Sequence, residues 1–347
     1  MTRRERLAGA WKRLARRSFK REETFIMLDS TPVAGKAPLH AELGRTLLAG
    51  SGKKFDRRSR LFAMNRMFRY LCVAAAAFVC LILFLILFLM FRTGVLTFNH
   101  ITFADFFFSS DWTPENEQYG GLVFIFGTFA LTALTLLIAV PLSLMIAIFL
   151  SVFVPPWLKN ALRPILDLLV GIPSVVYGYL GLTVLIPLIR TVTGTGMGDG
   201  LLAAALVLTI MVLPTVSRIS DDAISAVPAK FSDASYALGA TRFQTVWKVL
   251  LPSAKSGIMY AVILGMARAV GETMAVVMVI GNTPQLADSL LKPTSVLTSN
   301  IVMQISNVPF DSTWNYALYL MGFLLLLISL LMIVAVRWLQ RRGARIS

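Results

Sequence analysis

Twenty-one consecutive residues, LCVAAAAFVCLILFLILFLMF, follow Tyr70 without a charge. At 1.5 Å of rise per residue, a helix over that run crosses the ~30 Å hydrocarbon layer of a bilayer. Inside lipid every backbone N–H and C=O must find a partner within the protein, so the run predicts a transmembrane helix. Further apolar stretches predict spans near 122–150, 165–189, 200–216, 257–281 and 314–336, after a first near 70–91. Pro141, Gly171, Pro173, Gly178 and Pro187 interrupt several of them, which a polytopic bundle tolerates because neighbouring helices satisfy the freed groups. The fold class expected is an all-α polytopic membrane protein with about six spans. Only 15% of the 347 residues are charged, whereas a soluble chain carries about a quarter.

The formal net charge of +15 raises the question of a nucleic-acid partner, and its distribution answers it. Eighteen of the 33 Lys and Arg lie in residues 1–69, a basic arm in which Leu7, Trp11, Leu14 and Phe19 recur at roughly helical spacing. The arm suits an anionic membrane surface, and no nucleic acid is expected. From Ser30 to Lys54 the arm reads as a linker, and no secretory leader is expected, since the first apolar run starts too late. With a cytoplasmic N-terminus, six crossings return the C-terminus to that side. Lys159, Arg163, the 217–256 loop and Arg337, Arg341, Arg342 and Arg345 then join the arm in the cytoplasm, as the positive-inside rule requires. Cys72 and Cys80 read as packing residues, and His40 and His100 stand without neighbouring ligands, so no metal site is expected.

Between the fourth and fifth spans lies SRISDDAISAVPAKFSDASYALGATRFQTVWKVLLPSAKSG. Its second half is amphipathic, with Tyr236, Phe243, Trp247 and Leu250 or Leu251 as contacts, Gly239 as a turn and Pro252 as a stop. At these residues the sequence resembles the permeases of bacterial ABC importers. Their loop signature, EAA, then Gly four residues after the second Ala, then I-x-L-P, is met by Asp233, Ala234, Ser235, Gly239, Val249, Leu251 and Pro252, with three conservative departures. The resemblance implies the type I importer permease fold and a short coupling helix that docks on an ATP-hydrolysing subunit. An ordinary interfacial helix is the alternative. The chain lacks a G-x-x-x-x-G-K-[ST] phosphate loop, AGSGKK at 49–54 being the nearest approach. ATP and magnesium are therefore expected on the partner ATPase, with no cofactor on this chain and no enzymatic activity.

A narrower resemblance, to the PstC-type permeases of phosphate-specific importers, rests on FFFSSDWTPENEQYGGLVFIFGT (106–128), IPSVVYGYLGL (172–182) and GMARAVGETMAV (265–276). It implies a bacterial inner-membrane complex with a homologous PstA-type permease, two ATPase subunits and an extracytoplasmic phosphate-binding protein docked on the loops near 94–121 and 282–313. Arg268 and Glu272 give separate support. Arg268 lies eleven residues into the fifth span, roughly 16 Å deep. A charge there costs about 2.5–3.5 kcal/mol, so such residues usually line a pathway. An arginine offers fixed donors to an oxyanion, and Glu272, one turn on, is expected to neutralise it when the path is empty. A structural ion pair is the rival reading. Asp167 is expected to pair with Arg163 or another helix, and Asp221 and Asp222 to be solvated or capping carboxylates. Two other functions stay open: a permease for another oxyanion or an organic solute, and a membrane-anchored regulator whose basic arm binds nucleic acid or lipid.

Overall fold

The computed structural model of the protein describes residues 37–343, so the stripe Leu7–Phe19 and the last four residues lie outside the described residues. Two compact units divide the chain, residues 1–80 and 81–347. Of the first, the described part is the beginning of helix α1 (Ala37–Val95). The linker expected over 30–54 is thus helical from Ala37. Pro38 sits at the helix start, where its missing N–H costs nothing, and no other proline follows until Pro114.

The second unit continues from α1 into α2 (Phe103–Phe108) and a two-stranded hairpin, β1 (Trp112–Thr113) and β2 (Gln118–Tyr119), paired antiparallel. Helix α3 (Leu122–Ile148) ends in a π turn, Phe149–Phe153, and α4 (Pro156–Gly171) follows. Next come α5 (Ser174–Leu180), a π turn at Gly181–Leu185, α6 (Ile186–Thr193) and α7 (Leu201–Ser225). Then follow α8 (Ala229–Ala237), α9 (Arg242–Thr245), a π turn at Val246–Leu250, α10 (Leu251–Gly271) and α11 (Met274–Val279). The unit closes with α12 (Leu297–Gln304) and α13 (Thr313–Gly343).

Six helical stretches among the described residues are long and apolar enough to cross a membrane: Met64–Asn99, Leu122–Phe153, Ser174–Thr193, Leu201–Ser225, Arg242–Gly271 and Thr313–Trp338. Three differ from the sequence expectation. The third starts at Ser174, because Pro173 cannot continue α4 and holds Ile172 in extended backbone; residues 165–171 belong to α4 instead. The fourth runs on to Ser225, well into the segment expected as loop. The fifth runs from Arg242 to Gly271, so Arg268 lies three residues from its end instead of eleven residues into it, and Pro252 does not stop it. The π turn just ahead of Pro252 already spaces the backbone bonds five residues apart, so the proline enters near the start of α10.

Helix α7 is the most buried of the six and packs against α3 and α10. Close approach is set by small residues. Ala203, Ala204 and Ala205 are buried, Gly265 faces Val212 and Val216, and Gly257 lies on Ala223. Gly127 lets α3 approach the Ser295 carbonyl so closely that a Cβ there would lie 2.4 Å from the oxygen. At the hairpin end, Trp112 meets Tyr119 and Phe124 edge-on, with centroids 5.6 and 5.2 Å apart. Burial, and then the Glu117 carboxylate, pushes the Tyr119 phenol above its usual range, so it packs as a neutral group.

Candidate functional site

Two sites take shape, one at the 226–252 segment and one where the fifth span breaks. At the first, α7 ends at Ser225 and Pro228 opens α8 after a short turn. Helix α8 closes in a Schellman arrangement: the Gly239 N–H donates to the Tyr236 carbonyl at 2.9 Å and the Ala240 N–H to the Ser235 carbonyl at 3.1 Å. That closure holds Gly239 at φ +81°, the left-handed region that a side chain resists. Thr241 then caps α9: the Gln244 N–H donates to its hydroxyl, and its own N–H donates to Gln244 Oε1. The Ser235 hydroxyl meets the buried Thr245 hydroxyl at 2.9 Å, tying the two short helices together.

The signature residues thus divide by task. Ser235 and Gly239 build the turn, Leu251 packs with Ile224 and Ala254, and Asp233 and Ala234 stand exposed. Val249 is half-buried, and Pro252 is exposed near the start of α10. Around them Leu238, 89% exposed, joins Phe231, Tyr236, Phe243 and Trp247 in an apolar display at one end of the unit. Such a patch at the junction of two spans suits contact with a protein or with the membrane surface.

At the second site, α10 stops at Gly271, Glu272 adopts extended backbone, and α11 starts again at Met274. The break undoes the expected Arg268–Glu272 pair, because residues four apart meet only on a continuous helix. Arg268 is half-buried and donates from its guanidinium to the Thr215 hydroxyl on α7 at 3.2 Å. Glu272 turns the other way: its Oε1 accepts the Thr273 and Ala275 N–H groups at 3.2 and 3.4 Å, capping α11. Its carbonyl accepts the Thr298 hydroxyl of α12. Among the described residues no carboxylate forms an ion pair with Arg268. A cation inside a span without a counter-charge is costly unless a partner or an anion supplies one.

Three features escaped the sequence. Thr215 carries no signal in a span of Leu, Val and Ala. The break at Gly271 had one, a glycine followed by a carboxylate inside an apolar run. Asp221, expected as a solvated or capping carboxylate, is fully buried. Of the two partners expected for Asp167, it takes the one on another helix, Arg218 of α7. The ion pairs around Asp221 bind α4 onto α7.

A family profile described as the binding-protein-dependent transport system inner membrane component matches residues 139–345, more than half of the chain. The chain belongs to this permease family. The permease is 47% identical over 246 residues to the probable ABC transporter permease protein YqgH of Bacillus subtilis, covering 70% of this chain and 80% of that one. It is 36% identical over 261 residues to the phosphate transport system permease protein PstC of Xylella fastidiosa, again covering 70% and 80%. Its fold matches a chain of a bacterial alginate ABC transporter solved with an alginate-bound periplasmic protein. The TM-score is 0.55 at 17% identity, covering 79% of this permease and 95% of that chain. The permease is therefore a multi-pass inner-membrane subunit of an ABC importer. It works with an ATPase, which hydrolyses ATP in a separate subunit, and with a substrate-binding protein.

Proposed function

We propose that this permease forms, with a homologous PstA-type permease, the path that carries inorganic phosphate into the bacterial cytoplasm. The observation that carries the reading is Arg268, a guanidinium inside a span whose one bonded partner among the described residues is the Thr215 hydroxyl. A guanidinium presents several donors in a fixed fork that suits an oxyanion, and an adjacent hydroxyl adds a further donor or acceptor. Glu272, which holds the start of α11, sets a negative charge beside the same break and keeps anion binding weak enough for release. Relatives named as phosphate permeases, 36% identical, support the anion chosen.

Both termini lie in the cytoplasm in this reading. Helix α8 and the exposed Leu238, Phe243 and Trp247 that follow it dock on one of two ATPase subunits, which hold the ATP and magnesium, while this chain holds no cofactor. The extracytoplasmic phosphate-binding protein seats on the loops near 94–121 and 282–313. The partners are proteins and membrane lipid, not nucleic acid.

The test is ATP-dependent uptake of labelled phosphate into proteoliposomes carrying the partner permease, ATPase and binding protein, with this subunit included or omitted. Uptake that requires the subunit supports the reading. An assembled complex that hydrolyses ATP without moving phosphate ends it. A second reading, another oxyanion, draws on the relative at 47% identity, whose name carries no substrate. Competition by sulfate and molybdate separates the two.

A further inference from the structure

Helix α4 is amphipathic. Its apolar Trp157, Ile165 and Leu168 are exposed, at 72, 51 and 72%, whereas Lys159, Arg163 and Asp167, spaced four apart on one face, turn toward α7. Lys159 and Arg163 reach Asp221, whose side chain is 0% exposed. Its Oδ2 accepts Arg163 Nε at 2.7 Å, and its Oδ1 accepts the Ser151 hydroxyl at 2.7 Å and the Ser225 hydroxyl at 3.1 Å. Lys159 Nζ and an Arg218 nitrogen complete the shell at 3.6 and 3.7 Å. Arg218 also reaches Asp167 at 3.1 Å and Asp222 at 2.6 Å. One carboxylate thus joins three elements: the π turn ending the second span, α4, and the last turn of α7.

Position gives the cluster its meaning. Asp221 lies one turn before the end of α7, and only Ala226, Val227 and Pro228 separate that end from α8. From α4 the route continues across the Ile172–Pro173 break, which the Tyr177 hydroxyl spans by donating to the Leu169 carbonyl at 2.9 Å. Helix α5 then packs on α11, with Gly178 so close to Ala275 that a Cβ would lie 2.9 Å from the backbone. Helix α11 is the one Glu272 caps. A contiguous chain of packed elements therefore joins the loop to the break beside Arg268.

We propose that Asp221 is the positioning residue of energy coupling: its buried ion cluster locks α4 to the stem of α8, so that displacement of α8 reaches the α5–α11 contact instead of bending α7 alone. This rests on α8 being the ATPase contact. A buried carboxylate shared by cations from two helices suits the task, since sliding one helix would strand a charge away from water.

The test uses the whole complex in proteoliposomes with Asp221→Asn, which keeps an acceptor for Ser151 and removes the charge. Assembly and ATP hydrolysis are expected to persist while uptake per ATP falls by about tenfold or more, because removing one partner leaves the others uncompensated. Unchanged uptake per ATP overturns the proposal, and so does a proportional loss of uptake and hydrolysis, which marks a merely structural role. Should Asp221→Asn fail to assemble, Arg163→Lys and Arg163→Gln decide: Lys should keep uptake per ATP and Gln should lose it, and equal values overturn the clamp. Spin labels at the exposed Ala161 and Ala226, with Cys72 and Cys80 replaced by Ala, give a readout independent of substrate. Their separation should stay fixed on ATP addition in the parent and change in Asp221→Asn; a change in the parent overturns the proposal. If the parent imports no phosphate, the substrate reading fails while these distances still judge the clamp.

Discussion

Arg268 and Gly239 show how differently single residues are constrained. Replacing Arg268 with Gln removes a charge that no acid among the described residues balances, so the bundle should insert at least as well as the parent. Phosphate uptake should be lost. Unaltered uptake in the reconstituted complex would return Arg268 to a packing role. At Gly239 the obstacle is conformational, since an added Cβ would meet nothing within 4 Å. A side chain held in left-handed backbone costs up to about 1–2 kcal/mol, Asp being among the residues that tolerate it best. A carboxylate at the end of α8 adds about 0.3–1 kcal/mol of repulsion with the helix dipole. Gly239→Asp should therefore abolish uptake while leaving expression and insertion intact, and normal uptake at normal expression would remove the docking assignment.

Among elements, the α8–α9 pair combines a firm frame with an apolar outer surface. The Schellman closure, the Thr241 cap and the Ser235–Thr245 contact fix the turn from within, which leaves Leu238 and Phe243 exposed without loosening it. Leu238→Lys should leave the permease folded, because the side chain is almost wholly exposed, and weaken its retention of the ATPase. Co-purification of the two subunits from detergent checks this, and undiminished retention would place the ATPase contact elsewhere. The fifth span behaves in the opposite way. Its interruption at Gly271 separates Arg268 from Glu272 and frees each to bond a different neighbour, Thr215 for one and the start of α11 for the other.

Across the whole molecule, helix approach depends on missing side chains. Gly127 on α3 and the 294–299 segment form one such contact, and Thr128 beside it accepts the Leu297 N–H at 3.1 Å. Gly127→Leu pushes a side chain against backbone that has no rotamer to yield. It should destabilise the fold by about 1–3 kcal/mol, the usual range for overpacking. A lowered melting temperature of the purified permease is the expected result, and an unchanged one would mean that α3 and this segment part easily.

The uncharged runs and the basic residues beside them determined by themselves that the chain is a helical membrane protein, because lipid excludes unpaired backbone and charge wherever the sequence places them. The 233–252 spacing carried the permease resemblance, since a left-handed turn and a helix cap require particular residue types at fixed distances. The span boundaries at Ser174, Ser225 and Arg242 were less legible. Pro173 reads as an interruption within a span and Pro252 as a stop, yet Pro173 ends a helix and Pro252 enters one behind a π turn. Only the tertiary structure decided the partners of the charges. Arg268 and Glu272 stand four residues apart and do not pair, while Asp221 and Arg163, 58 residues apart, do. Helical spacing predicts a neighbour only while the helix continues, and a buried carboxylate takes whichever cation the packing of distant segments brings within reach.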